Sequence, residues 1–197
     1  MGTKMAKASY KPTSISKIVK ISLVTSLATV SVPLWFFKIE YPLATFLKFD
    51  LVGIPYAIAS LISIHLALAL TPVLFIIFLY FSPDVIAISM KIFAEISTGI
   101  PLALSYKKFE KKIDQNKASL IAFAIAMVSR VAVMNIFNYL VSPYWIMWTY
   151  KWSFEAAYKW TVSFLLPVVS GFNAICVAYI APTSLAIYRI IKRLGIE

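Results

Sequence analysis

One cysteine, Cys176, excludes a disulfide within the chain and any cluster of thiolate metal ligands. One histidine, His65, removes almost every zinc or di-iron centre. There are only eight acidic residues and five glycines. The acids are scattered, with no H-E-x-x-H, no G-x-S-x-G and no aspartate cluster of the kind that holds metal ions for phosphoryl chemistry. No G-x-x-x-x-G-K followed by Ser or Thr occurs, so this chain does not cradle ATP by that loop. An enzyme is therefore not expected, and no cofactor or metal. Charged residues make up 14% of the chain, where a soluble domain has about a quarter.

What is abundant is apolar. The 197 residues are 61% hydrophobic, with a mean hydropathy of +0.84. Every gap between apolar runs is too short for a soluble domain. The composition predicts an all-α polytopic membrane protein, with residues 1–197 as one membrane domain in a multi-pass cell-membrane location. The lysines at 4, 7, 11, 17 and 20 precede a long apolar run without a clear cleavage site, which reads as a retained first span rather than a signal peptide. A net charge of +11 on a soluble protein would point to nucleic acid. Here the charges flank apolar runs, so orientation in a lipid membrane accounts for them and a nucleic-acid partner is not expected.

Charge and length fix the expected spans. The first runs from Ile15 to Phe37. The stretch from Leu51 to Phe81 is too long for one helix in a core about 30 Å thick. It divides into Leu51–Ile64 and His65–Phe81, with a kink offered at Pro72. The fourth span covers Ile86–Tyr106, the fifth Ala118–Val141 and the sixth Trp160–Ile191, the last broken near Pro167, Gly171 or Pro182. Lys107, Lys108, Lys111, Lys112 and Lys117 form the most basic loop, which belongs in the cytoplasm with the N-terminal lysines. An even number of spans must separate them, which favours two helices over one between 51 and 81. Thirteen Lys and Arg then flank the cytoplasmic ends and four (Lys38, Lys48, Lys151, Lys159) the outer ends. Six transmembrane helices result, with both termini cytoplasmic and an outer loop capping the bundle after the first helix.

Several polar residues interrupt this pattern. In "FLKFDLVGIP", Phe46 to Pro55, Lys48 and Asp50 are two apart and point the same way in an extended segment. The stretch reads either as an ordinary connection with two solvated charges or as a loop closing over something. Ser22 and Ser26 share a face of the first span, where small side chains permit close helix approach. Lys91 and Glu95 are four apart and within ion-pair reach. Charges at that depth cost about 2.5–3.5 kcal/mol each, so they face the bundle interior. They serve either as a structural pair or as the polar wall of a cavity. Arg130 lies within the fifth span. Asn135 and Asn138 share a face near its outer end, as glue between helices or as hydrogen-bonding groups for a flat ring. Between Ser142 and Trp160 an outer loop dense in aromatics, Trp145 and Trp148 among them, suits a membrane interface, with some rings free to stack on a planar ligand. Asn173 and Cys176 lie three apart in the last span.

Together these pieces resemble a family. "FLKFDLVGIP" is similar to the Lys-x-Asp-x-x-x-x-Pro loop of riboflavin-type substrate-binding (S) components of energy-coupling factor (ECF) transporters. "VMNIFNYLVSPYW" resembles that family's fifth span, and "LLPVVSGFNAICVAYIAP" its sixth. The order and spacing match along the whole chain. The resemblance implies a six-helix bundle that binds a small planar, riboflavin-like vitamin from outside and docks on an ECF transmembrane coupling subunit served by two ATPase subunits. It implies ligand contacts at Asn135 and Asn173, with Lys91 nearby and outer aromatics such as Trp145 stacking. Lys48 and Asp50 would close the capping loop, and Ser22 and Ser26 would fill the family's Ala-x-x-x-Ala docking face. The chain departs from the pattern at Cys176, at Gly171 and in the charges of Lys91, Glu95 and Arg130. The alternative reading is a structural or assembly membrane protein without a transported ligand.

Overall fold

The computed structural model describes residues 14–194. Of the terminal charges, Lys4, Lys7, Lys11 and Glu197 lie outside the described residues. Helix α1 (Ser14–Phe36) is followed by a two-stranded antiparallel hairpin, β1 (Ile39–Tyr41) and β2 (Ala44–Phe49). Then come α2 (Gly53–Ile62), α3 (Ile64–Phe81), α4 (Val85–Phe109), α5 (Gln115–Tyr150), α6 (Phe154–Trp160), a single π-helical segment (Thr161–Leu165) and α7 (Leu166–Arg193). Among the described residues, four helical stretches are long and apolar enough to cross a membrane: Ile64–Phe81, Val85–Phe109, Gln115–Tyr150 and Phe154–Arg193.

The helical class holds, with one addition and two corrections. First, the capping loop after α1 is a β-hairpin. The spacing of Lys48 and Asp50 is compatible with extended backbone, which β2 adopts over Ala44–Phe49. Its partner strand is Ile39–Tyr41, turned back at Pro42-Leu43, with Glu40 opposite Lys48. Second, the segment after the hairpin does not make a full-length helix. With 10 residues, α2 is about 15 Å long, half of what a bilayer core requires. Third, the outer loop expected over 142–160 is mostly helix. Pro143 sits inside α5, which continues to Tyr150, and Lys151 ends it in a left-handed conformation (φ 58°). After Ser153, whose hydroxyl caps α6, the chain is helical again to Arg193. The sixth span carries no break; its irregularity is the π-helical segment just before Pro167, a residue without an N–H to donate.

The packing follows from small residues and rings. Apart from Pro143, the buried positions of α5 fall every fourth residue: Ala118, Ala122, Ala126, Arg130, Met134, Asn138, Ser142 and Ile146. This is the i±4 ridge that packs against a neighbour's groove. Its N-terminal half is all alanine, so α4 and α7 approach closely there; its C-terminal half carries the polar groups. Asp114 caps the start of α5, accepting from the backbone N–H groups of Asn116 and Lys117, which hold its carboxyl below the usual range. Helix α2 runs alongside α4 in the same direction. Gly53 lies against Glu95, Gly99 against Tyr56 and Ser60, and the Ile62 carbonyl accepts from Lys107 Nζ at 3.0 Å. A Cβ on Gly99 would come within 2.6 Å of Ser60 Oγ, so that helix contact is built on glycine. Helix α3 returns, tied to α2 by Tyr56–Thr71 at 2.9 Å and to the end of α1 by the Trp35–Phe78 stack at 4.3 Å. The end of α7 lies beside the α4–α5 turn, where Lys192 meets Glu110 at 3.1 Å and Arg189 bonds Asn116.

Candidate functional site

The hairpin is fastened over one end of the bundle. Phe49 stacks on Phe172 of α7 at 4.7 Å, and Tyr41 packs edge-on against Phe49 at 5.5 Å. Asp50, just past β2, is buried. Its Oδ1 accepts from Val52 N at 2.9 Å and from Lys91 Nζ at 2.8 Å, and its carbonyl accepts from the Tyr179 hydroxyl at 2.6 Å. Lys48 behaves differently: it is exposed and pairs with Glu40 across the hairpin at 3.1 Å. The two residues do not work as one unit, since β2 ends between them. Lys38, before β1, sits over the Trp35 ring at 3.9 Å, and burial pushes its ammonium below its ordinary value.

Beneath the hairpin, α4, α5 and α7 enclose a cavity of about 510 Å³, within the range of small-molecule sites. Its floor is a chain of charges. Lys91 Nζ is shared between Asp50 and Glu95 Oε1, the latter at 2.5 Å. Glu95 Oε2 faces Arg130 Nη1 at 3.5 Å. Arg130 Nη1 also donates to Thr98 Oγ1 at 2.9 Å, and its Nε to Asn173 Oδ1 at 2.8 Å. Glu95 is 1% and Arg130 2% exposed. Two cations and two anions cancel, which is the condition under which such groups persist away from water. The network ties the hairpin to α4, α5 and α7.

The asparagines separate. Asn173 lines the cavity, with Nδ2 donating to Val169 O and Oδ1 accepting from Arg130. Asn138 lines it too, with Nδ2 on Met134 O and Oδ1 accepting from Ser142. Asn135 does not: it faces α7, where it exchanges hydrogen bonds with Ser170 at 2.8 and 3.0 Å. The sequence reading put Asn135 and Asn138 on one face. The signal that tells them apart is the four-residue stripe from Arg130 through Met134 to Asn138 and Ser142, which leaves Asn135 off the seam.

The mouth is aromatic. Successive ring contacts run from Trp145 to Tyr150 (5.9 Å), Tyr150 to Trp152 (6.2 Å), Trp152 to Trp160 (6.1 Å) and Trp160 to Phe46 of the hairpin (6.3 Å). Trp145 is held in orientation by Asp84, whose Oδ1 caps α4 at Ala87 N while Oδ2 accepts from the indole Nε1 at 3.3 Å. Asp84 was missed in the sequence; its place immediately before an apolar helix was the available signal. Lys48, Asp50, Lys91, Trp145 and Asn173 thus line one cavity, together with Arg130, Asn138 and Asp84. Ser22 and Ser26 lie elsewhere, exposed on α1. Thr25 on the same helix is exposed as well, its hydroxyl returned to the Ile21 carbonyl.

No family model matches the chain, and no curated protein matches it in sequence. The fold does have a counterpart. A solved structure, the S component of a bacterial ECF transporter, superposes with a TM-score of 0.68 over 90% of this chain and 98% of that one, at 18% sequence identity. The chain is similar to that protein in fold.

Proposed function

We propose that this chain is the membrane-embedded substrate-binding subunit of an ECF-type uptake transporter. It takes riboflavin or a related small planar vitamin from outside and docks on a transmembrane coupling subunit driven by separate ATPase subunits. The observation that carries the reading is the cavity: a hydrogen-bonding floor, an aromatic mouth and a hairpin cap, on a fold shared with an S component. A planar ligand suits it, because rings stack at the mouth while heteroatoms meet Asn138, Asn173 and Arg130. Purification in mild detergent with mass spectrometry of co-purifying small molecules tests this. A flavin-like compound supports it, and a preparation that neither carries nor binds any vitamin overturns it.

The binding residues follow. Buried hydrogen-bonding groups left unsatisfied cost about 1–3 kcal/mol. Asn173→Ala and Asn138→Ala are each expected to weaken binding by about 5- to 150-fold. Asn135→Ala loses its bond to Ser170 and is expected to lower thermal stability with little change in affinity. Titration of all three with riboflavin checks the division. An Asn135→Ala loss equal to that of Asn173→Ala would return Asn135 to the site.

In this reading the chain is one membrane unit crossing six times, with the hairpin and α2 together forming the second crossing and both termini cytoplasmic. The basic α4–α5 turn supports that orientation. A C-terminal tag accessible from outside intact cells would overturn it. The docking face is assigned to Ser22 and Ser26, exposed on α1 where small side chains admit another helix. Ser22→Trp and Ser26→Trp are expected to abolish uptake and complex formation while leaving ligand affinity unchanged. Lost ligand binding in either variant would remove the docking assignment.

A further inference from the structure

The floor of the cavity is unevenly satisfied. Lys91 is committed to two carboxylate oxygens at 2.5 and 2.8 Å. The amides of Asn138 and Asn173 are each engaged through both their oxygen and their nitrogen. Arg130 is the exception. Its nearest carboxylate oxygen is 3.5 Å away. Only Nε and Nη1 are bonded, and Nη2 makes no hydrogen bond among the described residues. The side chain is nonetheless almost wholly buried, lines the cavity and is fixed by its two bonded nitrogens. A guanidinium so placed holds a donor ready in a water-poor site.

We infer that Arg130 is a specificity-determining residue of this site, donating from Nη2 to a hydrogen-bond acceptor on the ligand, a carbonyl, ring nitrogen or carboxylate. The inference rests on the binding-subunit reading and adds the chemistry of the ligand's inner edge. Asp50 Oδ2, also without a hydrogen bond among the described residues, offers the complementary acceptor on the hairpin side. Its charge is already matched by Lys91. A cationic inner edge would meet the loosely paired guanidinium of Arg130 as a like charge and is disfavoured. The sequence pointed to Arg130 only as an unexplained charge; its role comes from the i±4 stripe that carries it onto the same cavity wall as Asn138.

The test uses the full chain in detergent, titrated with riboflavin (neutral, acceptor-rich), nicotinate and biotin (carboxylates) and thiamine (a cation). Each protein is also followed by thermal melting. Substituting Arg130 alone strands Glu95, so the main variant is Arg130→Met with Glu95→Gln, which keeps the buried charge balanced. The expected result is binding of an acceptor-bearing compound, no thiamine binding, and a melting point in the double variant close to that of the parent. Affinity in that variant should fall about ten- to a hundred-fold, with Arg130→Lys in between. Thiamine binding as tight as the acceptor compounds, or parental affinity in a folded double variant, overturns the inference and leaves the binding-subunit reading in place. A double variant that does not fold hands the decision to Arg130→Lys, where unchanged affinity overturns it. Failure of every compound to bind the parent overturns both.

Discussion

Glu95→Ala is expected to lower the unfolding free energy by about 3–5 kcal/mol, the usual result of removing one partner from a buried ion pair. Glu95 stands between Lys91 at 2.5 Å and Arg130 at 3.5 Å. Without it, two cations share the single charge of Asp50 in a site with little water. The effect is one of stranded charge rather than lost contact, and a rescue follows from that. Combining Glu95→Gln with Arg130→Met removes one charge of each sign and is expected to recover most of the loss. Denaturant titration in detergent, read as a double-mutant cycle, measures it. Parental stability in Glu95→Ala would mean that the four charges are not coupled as described.

Gly53→Val is expected to be nearly as damaging, for a steric reason. A Cβ at Gly53 would lie 2.4 Å from Ile180 Cδ1 and 2.5 Å from Glu95 Oε2. Either atom would yield cheaply at the end of a free side chain, but neither is free. Ile180 is fully packed among α2, α5 and α7, and Glu95 is fixed by its two cations. Overpacking of this kind costs about 1–3 kcal/mol for a small addition and more for a branched one. The glycine also lets the N-terminus of α2 meet a carboxylate, a favourable pairing of helix dipole and charge. Gly53→Val is therefore expected to lower the melting point markedly, with Gly53→Ala intermediate. Unchanged values in both variants would show that α2 does not approach α4 so closely.

The helices that the sequence disclosed best are those whose signal is local. Helix α4 was expected over 86–106 and runs over 85–109, because the apolar run and the basic turn after it are local signals; the Asp84 cap adds the first residue. The hairpin was half legible. The two-residue spacing of Lys48 and Asp50 was compatible with extended backbone, but pairing with Ile39–Tyr41 depends on a turn that composition alone does not single out. The extent of α5 was missed because Ser142-Pro143 reads as a stop, whereas the Ser142 hydroxyl bonds Asn138 and the helix continues. At the site, Lys91 with Glu95 was visible as an i, i+4 pair. The partners that complete the network, Asp50, Arg130 and Asn173, come from three separate elements, and no periodicity within one segment reveals them. Asn135 shares a broad face with Asn138, but it sits beside the four-residue seam rather than on it and bonds Ser170 of α7.

The brevity of α2 bears on how large such a site can be. A helix continuing outward from Gly53 through the rest of a bilayer core would add about 15 Å of cylinder some 10 Å across. The chain places a hairpin there instead, and Phe46, Leu47 and Lys48 of that hairpin form one wall of the cavity. The chamber is thus made by truncating one staff of the bundle while leaving the others at full height. Its capacity is set in part by the length and side chains of an eleven-residue ribbon, Ile39 to Phe49. A longer or shorter ribbon is expected to change the volume of the cavity while α4, α5 and α7 keep their mutual packing.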